Sequence, residues 1–196
     1  MKRMIYIAVF LAAFCHVNAQ LTTQRFDAAI ISSFQLQNVQ VEQFVTADIK
    51  NKPLTAFVFL SPECPLCRNY TKTINQLQQD YHQQVQFIGI IPGKAYSTDD
   101  VKDFIKKYRV AHDIMIDREQ KLTHYLQATV TPQVILLDDK ATLIYTGAID
   151  DWAQSLGKQR LQASQHYLEN AINQSLKSAI VKIKKTEPVG CKINDY

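Results

Sequence analysis

Cys64 and Cys67 stand two residues apart in the segment Ser61-Pro62-Glu63-Cys64-Pro65-Leu66-Cys67. That spacing is helical and lets both sulfurs meet in a small ring. A first cysteine at a helix N-terminus faces unpaired N–H groups and the positive end of the dipole, which lower its pKa. The thiolate is the form that attacks a disulfide. A second cysteine one turn further in is better shielded, and it can attack the mixed disulfide and release the product. Such a pair can also be half of a metal site or a structural staple. A zinc site needs a second ligand pair at a recognisable spacing, and no second Cys-x-x-Cys exists. His82, His112, His124 and His166 are scattered along the chain, and each reads as a surface or core residue. A staple here would close a tiny loop, which stabilises little. Glu63, beside Cys64, would raise the thiol pKa by like-charge repulsion or carry a proton for Cys67; it reads equally well as a surface charge that Arg68 pairs with.

The surrounding elements must place this pair. Leu54 to Leu60 is almost continuously apolar, as a central strand covered on both faces requires. Ser61-Pro62-Glu63 breaks it. From Pro65 the apolar positions Leu66, Tyr70, Ile74, Leu77 and Tyr81 recur at helical spacing, and Pro65 suits a helix's first turn. Val85–Ile91 is a second buried strand, stopped by Pro92-Gly93. A helix capped by Thr98 follows, with Asp99 and Asp100 in its first turn and a stripe of Val101, Phe104, Ile105 and Tyr108. Ile114–Ile116 is a short strand closed by Asp117, and a helix runs through Leu122, Tyr125 and Leu126. Val134–Leu137 and Leu143–Tyr145 flank the turn Asp138-Asp139-Lys140 as a hairpin. A long helix is expected from about Gly157 to Leu176, with Leu161, Leu168, Ile172 and Leu176 on one side. Upstream, Phe34–Phe44 alternates loosely, as a short hairpin or edge strand does. The β-α-β order implies parallel strands joined by crossovers, with the hairpin as an antiparallel edge.

The composition suits this α/β reading. Of 196 residues, 46% are apolar and 20% charged, ordinary values for a packed core. The net charge of +4 is mild and scattered, so nucleic acid is not an expected partner. Met1–Ala19 reads as a signal peptide: Lys2 and Arg3 lead an apolar run from Met4 to Cys15 that is too short to span a membrane, and Ala19 ends the cleavage site. A retained anchor and lipid attachment at Cys15 are the alternatives, but Phe14 is not the small residue that lipidation needs. The mature chain then keeps Cys64, Cys67 and Cys191, an odd number in an oxidising compartment.

The Cys-x-x-Cys after a central strand, with Thr131-Pro132 before a later one, resembles the thioredoxin superfamily. The block ending in Asp117, the added helix before it and Val130-Thr131-Pro132-Gln133-Val134 are similar to its secreted redoxin branch related to TlpA and ResA. The resemblance covers about residues 34–176. It implies a three-layer α/β/α fold with a central mixed sheet. It also implies an envelope thiol–disulfide oxidoreductase in which Cys64 attacks, Cys67 resolves, and Thr131 with a cis Pro132 docks the substrate backbone. Expected partners are client proteins with thiols or disulfides and an upstream redox donor; no cofactor or metal is implied. Two alternatives of the same fold remain. A peroxiredoxin-like peroxidase would use Ser61 in the Thr/Ser place before Cys64, although Phe57 stands where the upstream Pro belongs. A copper-binding or copper-delivery module would ordinarily carry a longer Cys-x-x-x-Cys and a dedicated His. The dipeptide Pro65-Leu66 also departs from thioredoxin's Gly-Pro.

The expected organisation is a signal peptide over residues 1–19, a thioredoxin-like domain over 20–180 and a C-terminal segment over 181–196 carrying Cys191. Thr186-Glu187-Pro188-Val189-Gly190-Cys191-Lys192-Ile193 is similar to the ends of some secreted redoxins. Pro188 and Gly190 set a turn, and Val189 and Ile193 supply apolar anchors. Cys191 is therefore expected either near Cys64, exchanging disulfides with it or completing a three-sulfur metal site, or on a loose tail, or pairing between chains.

Overall fold

The computed structural model describes residues 24–49 and 51–194; the signal-peptide reading and Cys15 lie outside them. The elements run α1 (Ala28–Ile31), β1 (Gln35–Asn38), β2 (Gln43–Thr46), β3 (Leu54–Phe59), α2 (Pro65–Tyr81), β4 (Val85–Pro92), α3 (Thr98–Tyr108), β5 (Asp113–Asp117), α4 (Lys121–Tyr125), β6 (Val130–Thr131), β7 (Gln133–Asp138), β8 (Leu143–Gly147), β9 (Ala153–Ser155), β10 (Lys158–Gln159), α5 (Tyr167–Leu176) and β11 (Cys191–Lys192). Seven strands form one sheet in the order β2-β1-β5-β4-β3-β7-β8. β3, β4 and β5 are parallel neighbours. β7 runs antiparallel to β3, and β8 antiparallel to β7. The β1–β2 hairpin closes the opposite edge.

Every residue of β3 is buried, because both faces of the sheet are covered. The two-residue period of a strand divides its side chains. Leu54, Ala56 and Val58 join one core with Tyr70, Ile74 and Leu77 of α2, Phe104 of α3 and Leu168 and Ile172 of α5. Phe57 and Phe59 join the other with Ile31 of α1 and Leu122 of α4. The result is the expected α/β/α layering.

Two local expectations are corrected. Ser97, not Thr98, caps α3: its hydroxyl accepts the Asp100 N–H, and the Asp100 carboxylate accepts the Ser97 N–H in return. The Thr98 hydroxyl accepts instead from the side chains of Gln37 and Arg118. The final helix begins at Tyr167 rather than near Gly157. Gly157 has φ +78° and turns the small β9–β10 hairpin, a left-handed backbone that favours glycine. The Asp151 carboxylate then holds the N–H groups of Ser164 and Gln165 at 2.6 and 2.9 Å, which ties the chain into a loop where the helix was expected. No helix among the described residues is long and apolar enough to cross a membrane.

Candidate active site

The strand β3 ends at the site, and α2 begins there. Cys64 is the N-cap of α2 in an extended conformation, and Pro65 follows in the helix's first turn. The Arg68 N–H reaches the Cys64 carbonyl at 3.2 Å, and the Cys64 N–H reaches the Ser61 carbonyl at 3.2 Å. These bonds hold the Cys-x-x-Cys turn against the strand end. Cys67, one turn into the helix, is fully buried and accepts the Ser61 N–H at 3.4 Å.

Facing this turn is the loop between β6 and β7. The Thr131–Pro132 peptide bond is cis, and both residues are buried. The Cys64 sulfur lies 3.2 Å from the Thr131 carbonyl oxygen. Thr131 and Pro132 therefore lie directly against the cysteine pair. A cleft of about 360 Å³ opens between the Pro92–Tyr96 segment and residues 191–194, with Cys64, Glu63 and Thr131 in its wall.

The two thiols are driven apart in acidity. Cys64 is lowered from 9.0 to about 5, first by the hydrogen bond from the Cys67 thiol and further by the Cys191 thiol and the N–H groups of both residues, with burial opposing. Cys67 is pushed well above its ordinary value, first by burial and then by its role as donor to the Cys64 sulfur. This is a low-pKa nucleophile beside a protonated, shielded partner. The first turn of the helix contributes through the Cys67 N–H, behind the two thiol donors.

Glu63 is exposed at the rim of the cleft. Arg68 does not pair with it; its Nε donates to the Pro62 carbonyl at 2.7 Å, and its guanidinium lies 5.9 Å from the Tyr108 ring centroid. Trp152 packs edge-on against Tyr70 with centroids 5.5 Å apart, so it anchors the core behind α2 rather than lining the cleft. Among the described residues no group of three or more His, Cys, Asp or Glu is placed to hold a metal ion. His112 is 3% exposed, and burial alone lowers it to about 4, the behaviour of a neutral core histidine.

Cys191 is where the tail meets the site. It pairs with Thr131 in a two-stranded antiparallel ladder between β11 and β6, and its sulfur lies 2.8 Å from that of Cys64. The three cysteines among the described residues are unbridged. Sequence reasoning named Cys191 without a pairing register. It read Gly190 only as a turn residue and passed over Tyr96, whose hydroxyl shares a 2.9 Å hydrogen bond with Ser61. Gly190 carries a signal that spacing alone does not reveal: a Cβ there would stand 2.2 Å from the Thr131 carbonyl oxygen.

The family model described as the AhpC/TSA family matches residues 28–146, more than half of the chain. The chain belongs to the AhpC/TSA family. No curated protein matches it significantly. Among solved structures, a hypothetical protein of Sinorhizobium meliloti 1021 is similar at 24% identity and TM-score 0.74, over 87% of this chain and 93% of that one. An uncharacterized conserved protein of Geobacillus kaustophilus is similar at 22% identity and TM-score 0.72, over 82% and 87%. A secreted Mycobacterium tuberculosis disulfide oxidoreductase homologous to E. coli DsbE shares 17% identity at TM-score 0.54, over 71% and 94%. The fold of this AhpC/TSA member is that of the thioredoxin superfamily.

Proposed function

We propose that this AhpC/TSA member is a thiol–disulfide oxidoreductase of the cell envelope, exchanging disulfides with client proteins and recharged by a separate redox donor. The observation that carries the reading is the split between its two cysteines. Cys64 caps α2 at the end of the central strand with its pKa lowered, and Cys67 is fully buried one turn further in with its pKa raised, within hydrogen-bonding reach of the Cys64 sulfur. In the reducing direction the Cys64 thiolate attacks a client disulfide. One client sulfur leaves with the electron pair and takes a proton, and a mixed disulfide remains. Cys67 loses its proton and attacks the Cys64 sulfur, which frees the second client thiol and forms the Cys64–Cys67 disulfide. The client backbone pairs with Thr131 as an added strand. Export agrees with the signal-like N-terminus and with the secreted oxidoreductase that shares the fold.

The test is disulfide reduction of insulin by the wild-type chain and its variants. Cys64→Ser should abolish turnover. The double variant Cys67→Ser, Cys191→Ser should accumulate a mixed disulfide through Cys64. Hydrogen peroxide serves as the competing substrate. Rapid peroxide reduction with no turnover of insulin would replace this reading by a peroxidase.

A further inference from the structure

The docking edge of Thr131 is not open: the chain's own C-terminal segment lies on it. Cys191 stands opposite Thr131 and Lys192 opposite Val130 in an antiparallel ladder, and the Ile193 N–H continues the pairing to the Thr129 carbonyl at 2.9 Å. Gly190 makes the approach possible, since any Cβ there would strike the Thr131 carbonyl carbon and oxygen at 2.6 and 2.2 Å. Val189 and Cys191 pack toward the core of α2, and Ile193 toward the core of α4. The Gln120 side-chain amide donates to the Asn194 carbonyl at 2.7 Å. With this strand in place, Cys64 is only 2% exposed.

We infer that the segment Val189–Asn194 is a tethered internal client: it docks on Thr131 as a strand, exchanges disulfides with Cys64 through Cys191, and must leave before an external client can enter. The inference rests on Cys64 and Cys67 being the redox pair. Its chemistry is an isomerisation. The Cys191 thiol loses its proton and attacks the Cys64 sulfur of the Cys64–Cys67 disulfide. The Cys64–Cys67 bond breaks, its electron pair goes to Cys67, and Cys67 takes a proton. A Cys64–Cys191 disulfide results, with no net oxidation and no added reductant. Attack by Cys67 on Cys64 reverses it.

The sulfurs are already 2.8 Å apart, against about 2.05 Å in a disulfide. Burial, and then the neighbouring Cys64 sulfur, raise the Cys191 thiol to about 11, so it waits protonated while Cys64 is the thiolate. Each disulfide isomer leaves one cysteine free, Cys191 or Cys67. The closed isomer fastens the strand covalently over the docking edge.

Two arms on the full chain test this. In the first, Cys67→Ser is oxidised with oxidised glutathione, quenched in acid and mapped by mass spectrometry. An intramolecular Cys64–Cys191 disulfide is expected at a rate independent of protein concentration. Trapping of reduced-and-reoxidised insulin chains by Cys67→Ser should rise at least tenfold once Cys191→Ser is added. A Cys67→Ser chain that ends only as a glutathione adduct or a dimer overturns the exchange. In the second arm, Gly190→Ala should accelerate iodoacetamide labelling of Cys64 at least tenfold by lifting the strand. An unchanged rate in a folded Gly190→Ala overturns the gating; if that variant does not fold, deletion of residues 190–196 is held to the same criterion. Failure of the underlying redox reading is separate, because it appears as absence of insulin turnover by the wild-type chain.

Discussion

Cys64 carries a low pKa in a buried place, and only its neighbours make that possible. A desolvated thiolate is costly, and the protein offsets this with donors, the Cys67 thiol first. The protonation states set a pH signature. Above about pH 5 Cys64 is already ionised in the reduced protein, while Cys67 keeps its proton. Reduction of the pair then takes up one proton for two electrons. The midpoint potential should fall by about 30 mV per pH unit through neutral pH, steepening toward ~59 mV below the Cys64 pKa. Equilibration against glutathione buffers from acid to neutral pH checks this, and a ~59 mV slope at neutral pH would contradict the ionised Cys64. A second outcome isolates Cys191. Cys191→Ala keeps the strand and removes only the thiol donor, so the Cys64 pKa should rise above about 5. Ultraviolet thiolate absorbance followed with pH measures it.

At the scale of elements, the parts of the fold that were legible are those dictated by local pattern. The unbroken apolar run of β3, the stripe of α2 and the Asp138–Lys140 turn each have one physical solution, and all three form as expected. The Cys64–Cys67 turn was legible for the same reason, since its geometry follows from two intervening residues and a proline. Where a side chain from elsewhere decides the backbone, the pattern was ambiguous. Leu161 fits the helical spacing of Leu168 and Ile172, yet the Asp151 carboxylate captures Ser164 and Gln165 and the helix starts later. Leu161 is left fully exposed, while Leu168 is fully buried. Leu161→Ala should therefore change stability by less than about 0.5 kcal/mol, and Leu168→Ala should cost about 2–5 kcal/mol. Urea unfolding of the two variants decides it, and equal losses would restore the longer helix. Cys191 was only half legible. Its type marked it, but its partner lies 127 residues away, and no local period encodes a contact of that length.

Taken as a whole molecule, the chain returns its C-terminal segment to the sheet in two steps of different strength. The first is an anchor. Thr186 bonds through its backbone N–H to the Thr146 carbonyl at 3.0 Å, and Thr146 bonds back to Lys184 at 3.0 Å. The Thr186 hydroxyl accepts the Ala148 N–H at 2.9 Å and lies 2.6 Å from the hydroxyl of fully buried Tyr145. Gly147, with φ +140°, leaves the space this requires, since a Cβ there would meet Thr186 at 2.3 Å. The second step is the docked strand, which has only two ladder residues and lies at the half-exposed mouth of the cleft. A short tether to this anchor would keep a released strand at high effective concentration, on the order of millimolar for flexible linkers. The two steps should therefore open separately. In native-state hydrogen exchange on the reduced chain, the Thr186 amide should be protected with the sheet, and the Ile193 amide should exchange much faster through local opening. In the Cys64–Cys191 disulfide form, the Ile193 amide should slow toward the Thr186 value, because leaving the groove now requires breaking a covalent bond. Equal protection of both amides in the reduced protein would mean that the segment opens only together with β8, and the docked strand would then be a permanent part of the sheet's rim.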